Sequence, residues 1–279
     1  MDWGGYNESM EERQHLPDIN RLSVLVSTIL LAYALTPFVQ LPERELSLRI
    51  FGAVFDFRVN FNNSISIMVA VLAAVGTEWL VREHPSLGEQ NTAQHWLLPA
   101  LTAWVIGVPL RTLEVGLQWW AVFALGGVLL VLVFLAEYIV VDLSDDFHAP
   151  ASAGLTAISF ALYLFLAISV RAGGLRLYAQ LPALMLTIGL VSLRSLYLRL
   201  GGRWCVIWAI GIAMVVGQFS IGFHYWPLSP LEFGLLVLGP AYALTSLAGA
   251  LEEGRALPTI WIEPVIMLAA IWGLAGIVG

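Results

Sequence analysis

One run of residues decides which folds are open to this chain. Gln118–Asp142 reads QWWAVFALGGVLLVLVFLAEYIVVD, with Trp119 and Trp120 at one end, Glu137 and Tyr138 near the other, and apolar residues between. A bilayer core about 30 Å thick needs about 20 such residues in a helix, and aromatic side chains gather at its two interfaces. A helix of this composition offers no face to water, so the run is expected to cross a membrane.

The pattern repeats along the chain. Hydrophobic residues make up 59% of the 279 and charged residues 12%, far from the balance of a soluble domain. Spans are expected at Leu22–Gln40, Ser64–Val81, Trp96–Leu110, Gln118–Val141, Ser152–Val170, Leu177–Leu198, Trp204–Phe223, Leu231–Leu251 and Ile260–Val278. The expected fold class is an all-α membrane protein, a polytopic transmembrane bundle of about nine helices. The count falls to eight if Trp96–Leu110, weakened by Pro99 and Pro109, is re-entrant. Residues 1–20 read as a flexible acidic tail carrying Glu8, Glu11, Glu12 and Asp18, and residues 21–279 as a single transmembrane helical domain. Ser229-Pro230-Leu231-Glu232 reads as a capping box with proline at the first helical position.

Between the first two spans lies a segment of period-two alternation, residues 45–60. A two-residue Gly52-Ala53 turn there pairs Ile50 with Phe55, Leu48 with Phe57 and Leu46 with Val59, and sets Arg49 against Asp56. A small extramembrane β-hairpin is therefore expected.

Composition excludes several functions. The net charge of −7 argues against nucleic acid, which needs a basic face. Every basic residue is arginine, so no lysine is present to form a Schiff base with retinal or pyridoxal. The single Cys205 excludes an internal disulfide and a cysteine-rich metal centre. No P-loop and no G-x-G-x-x-G follows a strand, so no nucleotide site is expected, and no cofactor or metal is assigned. The expected partners are the lipid bilayer and a protein partner or second copy. With nine spans, arginine placement favours a cytoplasmic N-terminus.

Ionisable side chains all fall near expected helix ends, where capping or snorkelling explains them. Nine-span parity would bring Glu78, His95, Glu137, His148, Arg194 and Glu263 to one side, a polar helix-end cluster able to act on a lipid headgroup. Arg49, Asp56 and Phe57 in the alternating segment, with His224, Tyr225 and Trp226 in the turn before Pro227, are candidates for docking a partner. No residue is assigned a catalytic role. Glu252-Glu253-Gly254-Arg255 resembles the acidic-pair-plus-arginine motif of membrane prenyl-protein proteases, but the spacing differs and no histidine follows.

Arg21-Leu22-Ser23, Glu45–Val59, His95-Trp96-Leu97-Leu98-Pro99, Leu135-Ala136-Glu137-Tyr138 and Tyr225–Pro230 together resemble an uncharacterised family of bacterial multi-pass membrane proteins. The resemblance covers most of the chain after Asn20 and implies a bacterial inner-membrane protein; it supplies no substrate. Three function classes stay open: a non-catalytic subunit or scaffold of an envelope complex, a carrier for a neutral or amphipathic solute, and a lipid-headgroup-modifying enzyme. The bland helix centres favour the first.

Overall fold

A computed structural model describes residues 17–38, 44–50, 53–59, 61–85, 87, 92–142 and 145–279, without the side chains of residues 44–64, 111, 112, 257 and 258. Most of the expected acidic tail lies outside the described residues. The chain separates into two compact units, Met1–Asp145 and Asp146–Gly279.

The first unit opens with α1 (Ile19–Leu35), whose start is capped by the Asp18 carboxylate accepting from the Asn20 amide at 2.8 Å. Strands β1 (Arg44–Ile50) and β2 (Ala53–Val59) follow, then α2 (Phe61–Val81), α3 (Ala93–Thr112) and α4 (Leu117–Ile139). Ile29, Val69, Ala73, Ala103, Leu130 and Phe134 are wholly buried where these helices meet. Close approach depends on Gly107: a Cβ there would lie 2.8 Å from the Ser66 hydroxyl and 2.9 Å from the Tyr33 hydroxyl. Small residues at such crossings let membrane helices pack without the hydrophobic drive available in water.

The second unit holds α5 (His148–Ala172), α6 (Leu177–Arg199), α7 (Val206–His224), α8 (Pro230–Glu252) and α9 (Ile262–Val278). Helix α8 is its centre, packing on each of the other four. Its start is a capping box: the Ser229 amide donates to Glu232 Oε2 at 2.6 Å and the Glu232 amide to Ser229 Oγ at 3.3 Å. Arg171, at the end of α5, donates to the carbonyls of His224 (3.0 Å) and Trp226 (2.9 Å) and ties down the turn before α8.

The expected fold class is corrected in two respects. Nine helices of 17 residues or more lie among the described residues, but only six segments are long and apolar enough to cross a membrane: Ile19–Phe38, α4, α5, α6, α7 and α8. Helix α9 falls short at 17 residues, Ile65–Val81 is the part of α2 whose side chains are described, and α3 carries Gln94, His95, Pro99, Pro109 and Arg111. The chain is thus a multi-pass membrane helical protein, with large apolar side chains such as Leu186, Ile207 and Ile266 turned outward.

The hairpin built on a Gly52-Ala53 turn is not seen. β1 and β2 pair antiparallel with Ile50 opposite Ala53, Leu48 opposite Phe55 and Leu46 opposite Phe57, two residues away from the expected register. Alternation repeats every two residues, so a shift of two leaves each residue on its expected face and the pattern alone cannot choose between the registers.

Candidate functional site

In the first unit, the start of α3 meets the ends of α2 and α4. Glu78 on α2 accepts hydrogen bonds from the Arg82 guanidinium, the Thr92 hydroxyl and the Trp96 indole, the last at 2.7 Å. One turn-face away, His95 Nδ1 lies 2.8 Å from Glu137 Oε2, with the glutamate side chain wholly buried. Arg21 pairs with Glu83 and lies over the Trp79 ring. Three of the expected cluster residues, Glu78, His95 and Glu137, therefore share one end of one unit, each already engaged in bracing helices.

The other three belong to the second unit. His148 opens α5. Arg194 was expected to snorkel outward, but the structure buries it to 1% exposure beneath the Tyr197 ring. The sequence signature is the same for both fates; the face that α6 turns inward decides. Glu263, at the start of α9, accepts from the Ser246 hydroxyl at 2.9 Å and from the Tyr242 hydroxyl at 3.3 Å.

Ser246 and Tyr242 line a cavity of about 430 Å³ between α5, α6 and α8. Ligand pockets for small molecules are of this size. One wall is apolar, from Ala153, Ala157 and Phe160 on α5 and Leu196 on α6. The polar end is built by Arg199, whose Nε and Nη2 grip Glu253 Oε1 and Oε2 at 2.5 and 3.2 Å, while Nη1 reaches the Ser246 carbonyl at 3.3 Å. Arg255 holds the same carboxylate at 2.6 Å. The Arg199 hydrogen bond above all, with the charges of Arg199 and Arg255, holds the Glu253 carboxyl below the ordinary carboxylate range. Gly249 makes room for this clasp, since a Cβ there would sit 2.8 Å from Arg199 Cδ.

Ser195 also lines the cavity, is 5% exposed, and its hydroxyl has no hydrogen-bond partner. A serine inside a helix ordinarily donates back to the carbonyl four residues earlier. Ser159, Thr187, Ser192, Ser220 and Thr245 in this unit all do so, at 2.7–2.9 Å. An unsatisfied buried hydroxyl costs about 1–3 kcal/mol. The Tyr163 hydroxyl and Gln180 Nε2 also lack partners, but neither lines this cavity.

A protein-family model for a protein of unknown function, DUF5656, matches residues 41–278. The chain belongs to the DUF5656 family. No curated protein and no solved structure matches it. Family membership leaves the activity of this DUF5656 chain to be argued from the site.

Of the docking candidates, the side chains of Arg49, Asp56 and Phe57 lie outside the described residues. His224 Nδ1 lies 3.0 Å from Gln180 Oε1, while Tyr225 and Trp226 stand exposed beside it. Among the described residues, no three His, Cys, Asp or Glu side chains gather as a metal site requires. Sequence reasoning missed Ser195, Arg199, Tyr242 and Ser246. The one usable signal was opposite charge: Arg199 and Arg203 precede one helix pair, and Glu252 and Glu253 close it, pairs that the structure joins.

Proposed function

We propose that this DUF5656 protein is a membrane-embedded binding protein for an amphipathic molecule, of the carrier or receptor class. The observation that carries the reading is a cavity with one apolar wall and one polar end, lined by Ser195, whose buried hydroxyl has no partner. A bound headgroup would supply the missing hydrogen bond while its chain lies along Ala153 and Ala157. Both alanines are exposed, so this wall opens outward from the unit. The chemistry of the neighbouring carboxylates supports binding over catalysis. Glu253 and Glu263 are each held by two protein groups, which suits bracing better than proton exchange with a substrate. The scaffold-subunit reading rested on the bland helix centres and on residues 45–60; the cavity in the second unit favours binding instead.

Native mass spectrometry of the protein, extracted gently from its own membrane, tests the proposal. A single retained lipid-sized adduct is expected on the wild type. Ala157→Trp, which fills the apolar wall, is expected to lower its occupancy at least tenfold. A bare wild-type chain, or an adduct indifferent to Ala157→Trp, contradicts the reading.

Within the second unit, the cavity's polar end gathers Arg194, Arg199, Arg203 and Arg255, against Arg171 and Arg176 at the opposite helix ends. By the positive-inside bias this supports a cavity opening on the cytoplasmic side of a bacterial inner membrane. Cys205, the lone cysteine, lies between α6 and α7 at that same end. An impermeant maleimide is expected to label it in inverted vesicles and not in right-side-out cells; the reverse pattern refutes the orientation.

A further inference from the structure

The cavity's charges indicate what kind of headgroup it takes. This inference rests on the reading of the cavity as a binding site. Arg199 is the cation that lines it, and its guanidinium is committed to Glu253 through two hydrogen bonds. Arg255 shares the same carboxylate, and Glu263 stands behind Tyr242 and Ser246. Two guanidiniums thus face two carboxylates, and the adjacent Arg203–Glu252 pair, in which Glu252 also accepts from the Trp208 indole at 2.8 Å, is balanced as well. Asp146, just before α5, and Arg194, buried on α6, add one charge of each sign near that end.

A phosphate entering here would have to draw Arg199 away from Glu253 and leave a carboxylate half-paired in a partly buried place. Burying a charge without its partner is far costlier than burying a hydroxyl that gains a hydrogen bond. The group that lacks a partner is a hydroxyl, on Ser195, which can donate once and also accept. Tyr242 and Ser246 already donate to Glu263, so their oxygens remain free only as acceptors. The polar end therefore suits a small uncharged group that both gives and takes hydrogen bonds.

We infer that the cavity selects an uncharged, hydroxyl-bearing lipid of the diacylglycerol type over the phospholipid that differs from it by a phosphate. Ser195 bonds the headgroup oxygen, the hydroxyl donates to Tyr242 or Ser246, and the acyl chain runs past Ala153, Ala157 and Phe160 toward the bilayer.

The test titrates the purified full-length protein in detergent with 1,2-dioctanoylglycerol and, separately, with dioctanoyl phosphatidic acid, counting adducts by native mass spectrometry. The chains are identical, so the headgroup alone separates the two. Saturable one-to-one binding of the glycerol lipid is expected at least tenfold tighter than of the phosphatidic acid. Ser195→Ala, a mild change, should weaken it about threefold to tenfold, the worth of one hydrogen bond, and Ala157→Trp should abolish it. Equal or tighter binding of phosphatidic acid, still lost in Ala157→Trp, overturns the headgroup inference and leaves the binding-protein reading standing. Binding of neither lipid, or binding of both that ignores Ala157→Trp, overturns both.

Discussion

Replacing Glu137 with alanine is expected to lower the stability of the detergent-solubilised protein by about 3 kcal/mol, the upper end of the cost of removing one partner from a buried hydrogen bond. Glu137 is wholly buried and its Oε2 lies 2.8 Å from His95 Nδ1, where α4 meets the start of α3. Without the carboxylate, the imidazole keeps its desolvation cost and loses this compensation. Glu137→Gln preserves shape and one hydrogen bond, so about 1–2 kcal/mol is expected of it. Removing both partners, as in His95→Phe with Glu137→Leu, should cost less than the sum of the single changes, because both single changes remove the same hydrogen bond. Unfolding titrations in mixed micelles measure all four proteins. A Glu137→Ala loss within about 0.5 kcal/mol, the range of an ordinary surface change, would show that the pair does not brace the unit.

The second large effect separates two adjacent tryptophans. Both read as interface markers in the sequence, yet Trp119 is 2% exposed and Trp120 is 54% exposed. Trp119 stacks on Phe123 at 5.2 Å and donates its indole N–H to the Leu110 carbonyl at 3.0 Å, near the end of α3. Trp119→Ala should therefore cost about 3–5 kcal/mol, through the cavity it leaves and the stranded carbonyl. Trp120→Ala loses edge-to-face contacts with Trp119 and Phe123 and should cost about 1 kcal/mol. Thermal melts of the two variants in one detergent make the comparison; similar losses would mean that Trp119 does not hold α3 to α4.

How much of this could be read in advance differs by feature. Apolar runs of membrane length located the helices, and Ser229-Pro230-Leu231-Glu232 located the start of α8, because caps and spans are written in local sequence. Which helices meet the length and polarity needed to cross was less legible, since α3 hides two prolines and a histidine within an apolar run. Parity brought Glu78, His95 and Glu137 to one end, but not the bond between His95 and Glu137, which depends on how α3 and α4 rotate against each other. Ser192 and Ser195 show the limit most plainly. They lie three residues apart on α6, yet Ser192 bonds back to Ile188 at 2.7 Å and the hydroxyl of Ser195, a cavity-lining residue, is unpaired. Nothing local distinguishes them; the gap left by α5 and α8 does.

The most direct test of the central claim is an experimental structure of the protein in a lipid nanodisc made from its own membrane. Elongated density is expected in the second unit's cavity, with its polar end within hydrogen-bond distance of Ser195 Oγ and its body along Ala153 and Ala157. A collapsed or water-filled cavity, with the Ser195 hydroxyl turned back onto the Val191 carbonyl, would contradict the account.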